Sequence, residues 1–482
     1  MAEVSLPSLI SDNMVLQQRT RATVWGEANP NEKVTVKIAG VTQATTARAD
    51  GQWVVKLPTL KAGGPYDMTI SGRNQITVHN VLVGEVWVCS GQSNMQWLVS
   101  ESKDASAEIA TANYPEIRLF TVAKKVSDKQ ESDCQGSWQV CSQMTVGNFS
   151  AVGYYFAREL HEALKTPVGL INSSCGSTAA EEWIPSDGLN FEPDLKSIAQ
   201  EQGTQQPMER EEYKRKYAEW VAACEQAKAA NQTPPPEPAA PKFTGGAHTP
   251  STLFNGMISP LLPYSIRGVV WYQGESNTSN PQLYRKLFPV LIRSWRQSWG
   301  EGDFPFIYVQ LPNYLLTKTL PSDSSWAELR EAQSMALKVP KTAMAVTIDI
   351  GEEHNLHPAN KQEVGSRLAL AARALAYGDA ITASGPVFGS SKIVGDSIVL
   401  GFKPSGSGLV AKGGGSLKGF AIAGAGKKFV WADAKIDGEK VVVHSDQVPN
   451  PVAVRYAWAD NPDCNLSNKA GLPASPFRTD DW

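Results

Sequence analysis

The chain has 482 residues, with 45 basic against 48 acidic side chains, a net charge of −3 and only 19% charged residues. At about 150 residues per domain that length suggests roughly three domains. The near-neutral balance without a basic stripe argues against nucleic acid or an anionic membrane as main partner. No run approaches about 18 apolar residues, so no segment reads as a bilayer span. The start, Met1 to Pro7, lacks the basic and apolar regions of a signal peptide, so the protein is expected either in the cytoplasm or with a signal already trimmed. Six cysteines (89, 134, 141, 175, 224 and 464) form no CxxC pair, which speaks against a zinc or thioredoxin-like site. Cys134 and Cys141 could bridge in an oxidising compartment, but free buried thiols are the expected state. The 39 Gly, 31 Pro and 14 Trp point to a loop-rich chain with much β-structure. Trp in this number suits sugar binding, although large aromatics more often serve a core.

Residues 1–80 alternate short apolar runs with turn signals, as in Val34-Thr-Val-Lys-Ile38 and Trp53-Val-Val-Lys-Leu57, and predict an antiparallel β module. From 81 to 380 strands alternate with helices. Nearly continuous apolar runs at 81–89, 167–172, 266–272, 304–310 and 343–348 suit parallel strands covered on both faces. Helices are predicted over 151–164, 284–299, 326–337 and 361–376. Inside this zone a polar insertion, about 190–243, carries a predicted helix over 208–230 closed by Pro234-Pro-Pro236. Tyr213, Tyr217, Trp220, Val221 and Cys224 give it one apolar stripe. The stripe reads as packing; the alternative is a lid with Trp220 touching substrate. From 381 to 482 the β pattern returns, with turns at Gly413-Gly-Gly415 and Asp437-Gly438. The expected architecture is an α/β domain with a parallel sheet, flanked by two β modules.

The chemistry concentrates at the ends of the predicted parallel strands. Gly84-Glu-Val-Trp-Val-Cys-Ser-Gly-Gln-Ser-Asn-Met-Gln96 runs from strand into helix and would expose Ser93 at the carboxyl edge of the sheet, where open α/β folds place ligands. A serine at such a turn is most often only a helix cap. As a nucleophile it needs a base. His357, in Asp349-Ile-Gly-Glu-Glu-His-Asn-Leu-His-Pro358, follows the last apolar run; His354 and His248 are the other loop candidates. Two further strand-end loops carry polar side chains: Ile171-Asn-Ser-Ser-Cys-Gly-Ser-Thr178, where Gly176 permits close approach, and Trp271-Tyr-Gln-Gly-Glu-Ser-Asn277. Each alone is an ordinary βα loop. Four on one sheet edge are a site.

The set Ser-Gly-Gln-Ser-Asn-Met, Asn-Ser-Ser-x-Gly, Trp-Tyr-Gln-Gly-Glu-Ser-Asn and Leu-His-Pro resembles the SGNH-type carbohydrate esterases, in particular the sialate O-acetylesterase-like group. Asp12-Asn-Met-Val-Leu-Gln17 and Gly471-Leu-Pro-Ala-Ser-Pro-Phe-Arg-Thr-Asp480 extend the resemblance over nearly the whole chain. It implies an SGNH-hydrolase-like (flavodoxin-like) three-layer core flanked by β-sandwich-like modules, and a periplasmic or secreted enzyme with no metal or organic cofactor. Ser93 would attack an acetyl carbonyl, with His357 as base. Backbone N–H groups of Ser93 and Gly176, with the Gln273 amide, would form the oxyanion hole. Asn277 would position its neighbours, and it is also a candidate for binding substrate. The superfamily places Asp three residues before the His, where this chain has His354. Asp349 or Glu275 is expected to orient His357, with Glu352, Glu353 and a Ser-His dyad as alternatives. The implied substrate is an acetylated carbohydrate: O-acetyl sialic acid, or acetylated xylan or xyloglucan, with sparse Arg around the motifs favouring neutral glycans. The runner-up is a carbohydrate-binding protein on an inactive hydrolase scaffold.

Overall fold

One strand runs through both of the first two predicted zones. The computed structural model describes residues 3–200, 249–403 and 407–482, with positions 215, 216, 219, 220, 222, 223 and 235 of the insertion. Its first strands are β1 (Val15–Gln17), β2 (Thr23–Glu27), β3 (Lys33–Ile38), β4 (Val41–Thr46), β5 (Gln52–Lys56) and β6 (Gly63–Ser71). The 17-residue β7 (Gln75–Gly91) follows. Its first half pairs antiparallel with β6, and its second half runs parallel between two strands of the central sheet. The predicted boundary after residue 80 therefore falls in mid-strand. What changes there is the covering. Up to Asn80 only Val78 is buried; from Val81 every residue is, because both faces are now packed.

The central sheet adds β8 (Asn113–Thr121), β9 (Trp138–Ser142), β10 (Val168–Ser174), β11 (Gly268–Tyr272), β12 (Phe306–Val309) and β13 (Thr342–Ala345). The order is β13-β12-β11-β7-β10-β8-β9, parallel except for β9. Register shows which face each helix covers. Trp87 sits beside Gly268, and its ring meets Phe156 of helix Ala151–Leu164 at 5.2 Å. Its Nε1 donates to Tyr377 Oη, 3.1 Å away, at the end of helix Lys361–Tyr377. Gly268 is required there, because a Cβ would lie 2.7 Å from the Trp87 ring. Trp271, three residues on, must point to the opposite face. It packs on Trp295 of helix Pro281–Trp299, and its register neighbour Tyr308 donates to Gln333 O of helix Ser325–Met335. Two helix pairs thus sandwich the sheet, and β7 lies where the strand order reverses, at the switch point of the fold.

Each of these four helices starts on a side-chain cap: Ser150 on Gly153 N, Asn280 on Leu283 N, Ser324 on Ala327 N and Asn360 on Glu363 N. One apolar core runs from Val4 to Ala372, so the N-terminal strands and the α/β layers share it. A second core, Ile398 to Phe477, fills the C-terminal module between two four-stranded antiparallel sheets. Fully buried Arg330 joins this module to the α/β layers, donating to the carbonyls of Leu311, Pro312, Ala459 and Asp460. Of the predicted insertion helix, Tyr213, Tyr217, Val221 and Cys224 lie outside the described residues; Trp220 is helical and its indole donates to Pro235 O at 2.9 Å.

Candidate active site

The carboxyl ends of β7, β10 and β11 and the loop after β13 meet at one point. β7 ends at Gly91, with φ +135°, so close to β11 that a Cβ would stand 2.1 Å from Tyr272 O. The chain then turns into the helical segment Ser93–Gln96. Buried Gln92 ties this turn to the next loop by accepting from Gly274 N and Ser276 N, each at 3.3 Å.

Ser93 Oγ and His357 Nε2 are 2.8 Å apart. For Nε2 to accept from the hydroxyl, the imidazole must carry its proton on Nδ1. The Trp97 ring stacks on the imidazole at 4.9 Å and 19°. His357 N donates to Asn355 Oδ1, and Leu356 O accepts from Asn94 Nδ2. Burial, reinforced by the nearby ammonium of Lys361, pulls the imidazole pKa down to about 4. The ring is therefore neutral, as a general base must be.

No described carboxylate is bonded to His357 Nδ1. Asp349, expected as the acid, instead binds Arg367 at 2.6 and 3.0 Å and Lys412 of the C-terminal module at 2.8 Å. Burial opposes its ionisation, but these two cations outweigh it and hold the carboxyl below its usual range. Glu275, the other expected acid, is buried and accepts from Asn94 Nδ2 at 2.5 Å. Glu352 accepts from Ala359 N and Asn355 Nδ2, while Glu353 and His354 are exposed. His248 lies outside the described residues. The structure brings together Ser93 and His357, and leaves them as a pair.

Gly176 lies against the serine: a Cβ there would be 3.4 Å from Ser93 Cβ. Its N–H donates to Gln96 Oε1 at 2.9 Å. Fully buried Gln273 departs from its expected role as a donor toward the serine. Both hydrogens of its amide are committed, to Thr178 O at 3.1 Å and Asn277 Oδ1 at 2.7 Å. Asn277 also accepts from Ala180 N and donates to Glu181. These two residues hold the loop after β10 in place beside Gly176.

Sequence reasoning missed Asn94, Gln96, Trp97 and Lys361. The first three stand within or just after the Ser93 motif and could have been found from it. Lys361 had no signal; it is a lysine in the first turn of a helix. In the structure it is fully buried beneath the serine, donating to Asn94 Oδ1.

Residues 83–233 and 250–374, more than half of the chain, match the carbohydrate esterase family described as sialic acid-specific acetylesterase. The chain belongs to this family. It is thus a carbohydrate acetylesterase, an enzyme that hydrolyses carboxylic esters. Sialate O-acetylesterase of Mus musculus is 35% identical over 79% of this chain and 75% of its own length. The Homo sapiens protein of that name is 31% identical over 98% of this chain and 91% of its own. A carbohydrate acetylesterase of Xanthomonas citri, known from its crystal structure, superposes with TM-score 0.86 at 39% identity, over 99% of this chain and 100% of that one.

Proposed function

We propose that the protein removes O-acetyl groups from carbohydrates by a Ser93–His357 dyad through an acetyl-enzyme. The Oγ–Nε2 distance of 2.8 Å carries this reading. Ser93 Oγ attacks the acetyl carbonyl carbon while its proton passes to His357 Nε2. The tetrahedral intermediate collapses, the sugar oxygen leaves with that proton, and water repeats the sequence to release acetate. The oxyanion meets backbone N–H groups of Ser93 and Gly176. Gly176 N–H already faces the amide carbonyl of Gln96, and the acetyl oxygen replaces this neutral acceptor when Gln96 turns away. Gln273 and Asn277 support that donor through the loop after β10. Asp349 fixes the catalytic loop to helix Lys361–Tyr377 and to the C-terminal module.

The strand order with its switch at β7 supports an SGNH-hydrolase-like core, and the separate C-terminal cluster supports a flanking module. We assign an acetylated neutral glycan, such as xylan or xyloglucan oligosaccharide, in preference to O-acetyl sialic acid. The motif segments that hold Ser93, Gly176, Gln273 and His357 carry no arginine, and a guanidinium fork is what best holds a sialic carboxylate. Ser93→Ala is expected to abolish acetate release from p-nitrophenyl acetate and from acetylated xylan; full retained activity excludes the reading. Faster release from O-acetyl sialic acid than from acetylated xylan overturns the substrate assignment alone.

A further inference from the structure

Beneath the serine lies a chain of three buried polar side chains that the dyad itself does not require. Lys361 Nζ donates to Asn94 Oδ1 at 2.5 Å, and Asn94 Nδ2 donates to Glu275 Oε1 at the same distance. Lys361 and Asn94 show no exposure, and Glu275 shows 8%. The ammonium also lies 5.9 Å from the Trp97 ring centroid and 5.5 Å from that of Tyr272. Asn94 follows Ser93 directly and holds Leu356 O, the carbonyl before His357. Trp97 stacks on the imidazole itself.

We infer that Lys361 and Glu275 form an ion pair split by Asn94, and that Lys361 is a positioning residue that sets both the geometry of the Ser93–His357 pair and the pH at which it works. The inference rests on the dyad reading above. A lone amide inserted between a cation and an anion is oriented by both: its oxygen must face the ammonium and its nitrogen the carboxylate. That fixed orientation leaves one Asn94 N–H for Leu356 O, locking the nucleophile turn to the base loop. The charge acts separately. In a triad a carboxylate beside the imidazole favours its protonation; here the nearby charge is a cation, which disfavours it. The ionisable groups around the pair are Lys361 on its helix, Tyr272 and Glu275 at the end of β11, and Glu352 on the catalytic loop. The turn 93–97 adds none besides Ser93. Burial draws Lys361 down to about 7, against the opposing pull of Glu275 and Glu352, and raises Glu275, so each charge depends on the other.

The test is the pH profile of kcat/KM for p-nitrophenyl acetate, with thermal midpoints, in Lys361→Met, Glu275→Gln and the double variant. Lys361→Met should lower kcat roughly tenfold or more with little change in KM, because the reacting pair loses its anchor. Its acid limb should move up by about half to one pH unit as the like charge disappears. Glu275→Gln should lose stability without an upward move of the limb. The double variant leaves no charge unpaired, so its midpoint should lie above that of either single variant while the limb stays displaced. It carries the test if Lys361→Met does not fold. An acid limb at the wild-type pH in the folded variants lacking Lys361 overturns the inference, as does a double variant whose stability losses simply add. Either result leaves the dyad standing if Ser93→Ala is inactive.

Discussion

A buried histidine without a bonded carboxylate has a distinctive acid response. Burial and the Lys361 ammonium hold His357 at about 4 against an ordinary 6.5. The native imidazole therefore stays deprotonated where an exposed one has already taken its proton. Wild-type kcat/KM should remain level from neutrality to about pH 5 and then fall through about pH 4. The same shift affects stability with a defined sign. As pH falls below 6.5 the unfolded chain binds a proton at His357 that the native protein refuses until about 4, so stability is lost across that window. Urea midpoints between pH 7 and 4 should decline accordingly, and His357→Gln should flatten part of that decline. The pairing of Ser93 with His357 was legible in the sequence because each lies in a dense polar motif after an apolar run, Ser93 two residues past β7 and His357 in the loop after β13. The acid was not. Asp349 and Glu275 both stand in the right segments, but nothing in the sequence showed that Arg367 and Lys412 claim one and Asn94 the other. Lys361 was invisible for a related reason: only the closed fold brings the start of its helix against Asn94 and Trp97 of the serine turn.

At the scale of elements, that helix is located by one crossing. Gly365 meets helix Ala151–Leu164 so closely that a Cβ would stand 2.5 Å from Tyr155 Cβ and 2.7 Å from Phe156 N. Gly365→Ala gains ~1 kcal/mol of helix propensity, but pressing into backbone costs ~1–3 kcal/mol. The clash should win, because a neighbouring backbone cannot rotate away. The variant should melt earlier. It should also lose activity on p-nitrophenyl acetate beyond what its stability predicts, since Lys361 lies one turn away on the same helix. A Gly365→Ala protein as stable and as active as wild type would show that the crossing relaxes freely. Five of the seven strands of the central sheet were readable from sequence as continuous apolar runs, because burial on both faces removes the polar alternation; β8 and β9, each with exposed positions, were not. The close crossing was not: a glycine inside Lys361–Tyr377 only lowers helix propensity until its neighbour is known.

Across the whole molecule, the two ends of the chain are attached differently. The C-terminal module keeps its own core and is fastened through specific polar contacts, chiefly Arg330 and the Lys412–Asp349 pair. Arg330→Met would leave the Leu311 and Ala459 carbonyls without a donor, while Pro312 O keeps Trp326 Nε1 and Asp460 O keeps Tyr314 N, a loss of roughly 2 kcal/mol or more when buried acceptors go unpaired. Its denaturant midpoint should fall steeply; an unchanged midpoint would mean that water replaces the guanidinium. The sequence pattern predicted a β module over 381–482 at this end. It did not anticipate the other, where β7 belongs to both regions and Val15–Gln17 lies alongside Leu82–Gly84. That shared strand has a consequence for the order of assembly. Its outer half pairs with β6 across a short turn, a local contact with little loop entropy to overcome, whereas its inner half waits for β10 and β11, some 80 to 180 residues later in the chain. The hairpin can form first and hold the rest of β7 extended, a ready edge on which the catalytic sheet is laid down. In pulse-labelled hydrogen exchange, amides at Ile76 to Val83 should gain protection before those at Val86 to Ser90.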